Sequence, residues 1–205
     1  MKAKVCGIST LEQVETCVKF GASFCGFILN YPKSHRFISF DKAKELTNFN
    51  KGKTKYVGVL VNPNNEELKK FSKLKIDYFQ IYGNYDYKTI IDIKSKFKKK
   101  IIAAIQVINE KDILSYKKLK NKADIVLWDS SGLERSVGWD YQWIKSVPNN
   151  ITKMIAGNIK LKNLNQIFNL VDIVDVSGAL ETNKVKDIEK IKKFLNEIKK
   201  LNDQN

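Results

Sequence analysis

Arginine is almost missing from this chain. Only Arg36 and Arg135 occur in 205 residues, although 37 residues are basic and the formal net charge is +15. Base-reading and bidentate phosphate sites rely on arginine. The lysines that carry the charge are spread over expected helix faces and loops, among them Lys69, Lys70, Lys73, Lys117, Lys118 and Lys120, and only Lys98–Lys100 forms an uninterrupted triplet. Such a distribution argues against a nucleic-acid partner, while an anionic substrate would still benefit from the field. Cysteine is also scarce. Cys6, Cys17 and Cys25 make an odd set with no Cys-x-x-Cys pair, which weakens both a disulfide framework and a zinc site. Cys17 shares a helical face with Val14 and Val18, and Cys25 lies within FCGFIL, so both read as small buried hydrophobes. The single histidine, His35, reads as an exposed loop residue. No apolar run approaches the roughly 20 residues of a membrane span. With no apolar leader before the first strand, a soluble, cytoplasmic protein without membrane partners is expected. Three prolines and ten glycines, none gathered into a linker, leave no place to split the chain, so residues 1–205 are expected to form one domain.

What is present is alternation. Short apolar runs follow one another at Ala3–Cys6, Phe24–Leu29, Tyr56–Val61, Tyr78–Ile81, Ile101–Gln106, Ile125–Leu127, Lys153–Ala156 and Ile173–Val176. Lysine-rich amphipathic segments stand between and after them, at about Leu11–Phe20, Asp41–Asn48, Glu66–Leu74, Tyr87–Lys96, Lys111–Leu119, Gln142–Val147, Leu161–Asn169 and Asp187–Leu201. The last carries a clear helical stripe of Ile188, Ile191, Phe194, Leu195, Ile198 and Leu201. Ser9 or Thr10, Ser39, Asn64 and Asn109 stand where helix caps are needed. Eight strands alternating with eight helices predict an α/β protein with a parallel sheet, and the number eight predicts a closed (β/α)8 TIM barrel. A doubly wound open sheet is the alternative, but its Gly-rich first turn is replaced here by CGIST.

In a barrel of this kind the site lies at the C-terminal ends of the strands, so the residues that end each strand are the ones to inspect. They are Cys6–Gly7, Asn30, Val61–Asn62, Gln80–Tyr82, Gln106, Asp129, Ala156–Gly157 and Ser177–Gly178. Only Cys6 and Asp129 among them titrate usefully, which suits a base and an acid facing each other across a mouth. Lys4 lies two residues before Cys6 and Asp175 two before Ser177, on strands that a closed barrel makes neighbours. An inward Lys4–Asp175 ion pair beneath the site is therefore expected.

KVCGIS at Lys4–Ser9, GFILNYPKSHRFIS from Gly26, VGVLVN at Val57–Asn62, QIYG at Gln80–Gly83, VLWD at Val126–Asp129, IAGN at Ile155–Asn158 and VDVSGALE at Val174–Glu181 together resemble phosphoribosylanthranilate isomerase. The resemblance runs through nearly the whole chain, in order. It implies an Amadori rearrangement of N-(5-phosphoribosyl)anthranilate to its 1-deoxyribulose 5-phosphate product in tryptophan biosynthesis. It also implies that no cofactor or metal takes part and that the partner is a phosphorylated small molecule. Carried over by position, Cys6 matches the general base, Asp129 the general acid, and Arg36 the arginine that holds the anthranilate carboxylate. Gly157, Asn158, Ser177, Gly178 and Ala179 match the phosphate cradle.

The chain departs from the family at three places: SSGLERSVGWDYQW retains only Gly138 of the family's glycine run, Asn158 replaces the second glycine of a pair, and Tyr82 stands where histidine is common. The chemistry asks for a protonated Asp129, raised by burial above the usual ~3.9, and a partly ionised Cys6, lowered by positive surroundings below ~8.5. Another phosphosugar barrel isomerase or synthase is the nearer alternative and a basic nucleic-acid-binding protein the more distant one. The resemblance leaves monomer and homodimer both open.

Overall fold

The computed structural model describes residues 1–119, 121–130 and 137–204. Lys120, and residues 131–136 of the glycine-poor stretch after Asp129, Arg135 among them, lie outside those residues. Eight strands run parallel and close on themselves in chain order. They are β1 (Lys2–Cys6), β2 (Phe24–Ile28), β3 (Lys55–Val61), β4 (Tyr78–Tyr82), β5 (Lys100–Gln106), β6 (Ile125–Asp129), β7 (Lys153–Ala156) and β8 (Ile173–Val176). Closure is made by β8 against β1, where Lys4 pairs with Asp175 in register. The expected barrel is the observed one, and β6 extends two residues further than the pattern suggested, so that Asp129 is itself the last strand residue.

Helices α1 (Leu11–Lys19), α2 (Phe40–Thr47), α3 (Asn65–Phe71), α4 (Tyr87–Phe97), α5 (Leu164–Ile167) and α6 (Ile188–Asp203) pack outside. Capping follows the sequence: Thr10 forms a capping box with Gln13, Asn64 forms one with Glu67, and the Ser39 hydroxyl accepts from the Lys42 amide. Three segments expected as α-helix differ. Glu110–Leu119, Tyr141–Ser146 and Leu161–Asn163 run as 3₁₀ helix. The reason is visible in the spacing of what they bury: Ile113, Tyr116 and Leu119 in the first, and Tyr141, Ile144 and Val147 in and just after the second. A strict interval of three lines up on one edge of a 3.0-residue helix, whereas an α-helix would rotate it away.

After β8 the chain forms a small antiparallel hairpin, β9 (Glu181–Thr182) with β10 (Val185–Lys186). Its central residues Asn183 and Lys184 both have positive φ, 51° and 63°, as a type I′ turn requires. Neither a strand nor a helix period marks this segment in the sequence.

The strands separate two interiors. Their outward residues and the helices' inward stripes form one large aliphatic core that includes Val5, Phe27, Leu60, Phe79, Ile101, Trp128, Ile155 and Val174. Their inward residues form a second, smaller cluster inside the barrel.

Candidate active site

Alternate residues of the strands fill the barrel in layers of four, as the parallel stagger of a closed barrel requires. Phe24, Tyr78, Ile125 and Ile173 close the bottom, and Phe24 meets Tyr78 edge-on with ring centroids 5.6 Å apart. Above them lie Lys4, Val57, Ile102 and Met154, then Gly26, Gln80, Leu127 and Asp175. Cys6, Val59, Ala104 and Ala156 come next, and Ile28, Tyr82, Asp129 and Ser177 reach the mouth. The lower layers are mostly apolar, and polar and reactive groups gather upward.

Lys4 and Asp175 form the inward ion pair that the strand parity predicts. The Lys4 Nζ–Asp175 Oδ2 distance is 2.7 Å, and the lysine side chain is fully buried. Burial pulls the ammonium toward deprotonation, but Asp175 and Cys6 outweigh it and leave Lys4 raised above the ordinary lysine value. The pair is thus a held charge, and among the described residues Lys4 is the cation that acts most strongly on the thiol. Gly26 makes room for this arrangement. A Cβ at that position would stand 2.9 Å from Cys6 Sγ and 3.1 Å from Lys4 Nζ, so any side chain there would push one of them aside.

Cys6 departs from expectation in one respect. Its thiol is raised above the ordinary cysteine value, not lowered. Burial is the largest influence. Lys4 pulls against it but is itself half-neutralised by Asp175, whose charge also disfavours the thiolate.

Asp129 is 4% exposed. Its Oδ2 accepts a 2.8 Å hydrogen bond from the Tyr82 hydroxyl, and that oxygen in turn accepts from Gln80 Nε2 at 3.1 Å. Because Gln80 donates to the phenol oxygen, the phenol proton is left for Asp129. Burial and the neighbouring carboxylate push Tyr82 well above the usual tyrosine value, which keeps it a donor. The sequence marks Tyr82 only as a strand-end residue standing where the family commonly has histidine. Its position two residues after Gln80, on the same face of β4, was the signal that could have revealed the relay.

Arg36 also differs from expectation. Its guanidinium is already paired: Nε donates to Glu181 Oε1 at 2.5 Å and one Nη to Glu181 Oε2 at 2.9 Å. Glu181 further accepts from Lys186 Nζ, and His35 lies 3.2 Å from its Oε2. Burial pushes the Glu181 carboxyl up, yet Arg36 and Lys186 together hold it down at about 2. Neither Glu181 nor Lys186 was singled out in the sequence, because the hairpin that carries them has no strong turn signature.

The loops after β7 and β8 complete the mouth. Gly157, Ser177, Gly178 and Ala179 line the same pocket as Cys6, Arg36 and Asp129. Gly157 and Asn158 have φ of 96° and 54°, so Asn158 adopts the glycine-like turn that asparagine tolerates better than most residues. Asn158 itself is not among the pocket-lining residues; its neighbour Ile159 is. Gly157 cannot be larger, since a Cβ would fall 2.2 Å from Ser130 Oγ. The carbonyls of Ala156 and Gly157 accept from Trp139 Nε1 at 2.8 Å and from the Tyr141 hydroxyl at 2.6 Å. Ser177 donates to the Cys6 carbonyl at 2.9 Å, tying β8 to β1 at the mouth. The 3₁₀ turns here, Leu161–Asn163 and Gly178–Leu180, span three residues each.

The comparisons with known proteins agree with this geometry. A family model described as N-(5'phosphoribosyl)anthranilate (PRA) isomerase matches residues 3–197. The chain belongs to the PRA isomerase family. It is 35% identical over 202 residues to the N-(5'-phosphoribosyl)anthranilate isomerase of Streptococcus mutans, covering 97% of this chain and 99% of that one. With the Clostridium acetobutylicum relative of the same name it shares 31% over 207 residues, 98% of each. Among solved structures, the Thermotoga maritima phosphoribosyl anthranilate isomerase superposes with a TM-score of 0.86 at 26% identity, covering 98% of this chain and 99% of that one. A PRA isomerase solved with reduced 1-(o-carboxyphenylamino)-1-deoxyribulose 5-phosphate superposes with a TM-score of 0.84, at 26% identity and the same coverage. The PRA isomerase relatives are enzymes of the isomerase class, and so is this chain. No helix among the described residues is long and apolar enough to cross a membrane.

Proposed function

We propose that this chain catalyses the Amadori rearrangement of N-(5-phosphoribosyl)anthranilate to 1-(2-carboxyphenylamino)-1-deoxyribulose 5-phosphate in tryptophan biosynthesis. The observation that carries the reading is the meeting of Cys6 and Asp129 in one pocket, at the ends of β1 and β6, beside the small-residue loops after β7 and β8.

The substrate is an aminofuranoside, and its ring opens when the ring oxygen gains a proton. Asp129 is the acid: it ends β6, it is buried, and Tyr82 fixes the orientation of its carboxyl group. Ring opening leaves an iminium, whose charge acidifies the hydrogen on the adjacent carbon. Cys6 takes that proton as the thiolate. Its raised ordinary state means that few molecules carry the thiolate before substrate arrives. Lys4 makes ionisation attainable, and the nearby iminium adds a second positive charge at the moment the base is needed. Loss of the proton gives an enolamine, which becomes the ketone.

Positioning falls to the rest of the pocket. The phosphate sits against the loops after β7 and β8, held by backbone N–H groups around Gly157, Asn158, Gly178 and Ala179, where small side chains let the backbone approach an anion. Ser177 steadies the same corner through the Cys6 carbonyl. Arg36 faces the carboxylate at the other end of the substrate. The partner is the small phosphorylated substrate.

The test is direct. The fluorescence of phosphoribosylanthranilate is followed with the purified protein, and its loss at a rate proportional to protein concentration is the expected result. Unchanged fluorescence with folded protein would refute the reading.

A further inference from the structure

The Arg36–Glu181 contact poses a question, because a guanidinium intended for a substrate carboxylate already holds one from the protein. Arginine presents two usable edges. The side edge, Nε with one Nη, is the one bonded to Glu181. The end edge, formed by the two Nη groups, still has donors to offer, since a guanidinium carries five N–H bonds in a rigid fork. Arg36 lines the pocket together with Gly178 and Ser34. The Glu181 side chain is only 8% exposed and does not line that pocket.

We infer that Glu181 is a positioning and specificity-determining residue: by clamping the side edge of Arg36, it aims the end edge at the carboxylate of the substrate. This rests on the substrate assignment above and deepens it.

Three observations support the clamp. The contact is two-pronged, which fixes a planar group in orientation as well as position. Glu181 is anchored from behind by Lys186, whose side chain is 1% exposed, so the carboxylate is not free to swing toward solvent. And Lys186 also donates to Ser177 Oγ at 3.3 Å, while Ser177 donates to the Cys6 carbonyl. Carboxylate recognition and the end of β1 are therefore built on one connected frame.

An unclamped arginine would reach a carboxylate by several rotamers and lose orientation on binding. A clamped one rewards the carboxylated ligand at little ordering cost. The discrimination then lies in KM and not in kcat, because the grip is remote from the reacting carbons.

The test compares two substrates in the parent protein and in Glu181→Gln and Glu181→Asp. One is N-(5-phosphoribosyl)anthranilate, and the other is N-(5-phosphoribosyl)aniline, which lacks the carboxylate. Gln keeps the size but not the charge. Asp keeps a charge beside Lys186 but falls short of Arg36, so it serves if the first variant folds poorly. Inorganic phosphate as a competitive inhibitor reports whether the other end of the site is intact. The expected result is a rise of about tenfold or more in KM for the carboxylated substrate, with kcat and the phosphate inhibition constant within about twofold. KM for the aniline substrate should stay within twofold, so that the parent's preference for a carboxylate collapses. Equal effects on both substrates, or none on either, would overturn the inference. A parent protein that turns over neither substrate would instead show that the functional reading itself is wrong, and this inference would fall with it.

Discussion

The same eight strands face two interiors of opposite character. Outward, toward the helices, they bury aliphatic and aromatic side chains such as Val5, Phe27, Leu60 and Ile155. Inward, they bury Lys4, Gln80, Asp129, Asp175 and Cys6 among smaller apolar groups such as Val57 and Ala104. The outer core has the size and the apolar area to hold the fold together. The inner one spends buried volume on charges and hydrogen-bond donors, which an apolar filling would replace without loss of stability. Stability and chemistry are thus divided across the thickness of a single sheet, and substitutions on either face should separate them.

The largest expected effect is on the inner face. Asp129→Asn keeps size and removes the acid, and kcat should fall by roughly two to four orders of magnitude, the usual worth of a positioned acid. Steady-state turnover of phosphoribosylanthranilate checks it, with the thermal midpoint measured alongside and expected to move little.

The ion pair below the site should reveal both properties at once. Lys4→Met leaves Asp175 buried without a partner and should cost about 3–5 kcal/mol by denaturant unfolding. Adding Asp175→Leu should recover most of that stability and none of the activity, since the cation beside Cys6 remains absent. Recovery of turnover in the double variant would break the division of labour between the two faces.

On the outer face, Phe194→Ala in α6, at a position 1% exposed, should cost about 3–5 kcal/mol. Its kcat per folded molecule should match the parent's when measured well below the lowered unfolding midpoint.

Tyr82→Phe should sharpen the inner face at finer scale. It removes one donor to Asp129 and leaves Gln80 Nε2 without its acceptor. A loss of about 1–2 kcal/mol in transition-state stabilisation, roughly five- to thirtyfold in kcat, is expected from a hydrogen bond to a charged group. Gln80 Oε1 is already buried without a partner among the described residues, so this position tolerates little further loss of hydrogen bonding.

The smallest effect is on acid stability. Glu181 is held at about 2 against an ordinary 4.5. A carboxyl depressed in the folded state contributes stability above its unfolded value and loses it as pH falls through the folded one. Parent and Glu181→Gln should therefore differ in stability at neutral pH and converge between about pH 4.5 and pH 2. A gap that persists to pH 2 would point to a different cause.

How much of this could be read from sequence follows the same division. The outer core was legible because its apolar residues recur with strand and helix periods, and the closing pair of Lys4 and Asp175 followed from side-chain parity alone. The strand-end residues Cys6 and Asp129 were legible because the topology says where to look. What parity and period do not encode is long-range pairing between loops. Glu181 lies 145 positions from Arg36, and no local pattern joins them. Tyr82 was placed correctly but its partner was not, since that depends on β4 facing β6 across the mouth. The thiol's raised state depends on a balance of burial against Lys4 and Asp175, which a list of neighbours does not weigh. The 3₁₀ segments were misassigned because Ile113, Tyr116 and Leu119 satisfy both a helical pattern and a spacing of three, and only the latter is strict.

The central claim is that Cys6 is the base. Its most direct test is the turnover of phosphoribosylanthranilate by folded Cys6→Ala beside the parent, with the thermal midpoint and the phosphate inhibition constant measured on both. A fall in kcat of roughly two to four orders of magnitude is expected, with phosphate binding preserved. A Cys6→Ala protein that works within a few-fold of the parent would contradict it, and would make Cys6 one more packing residue of the barrel interior.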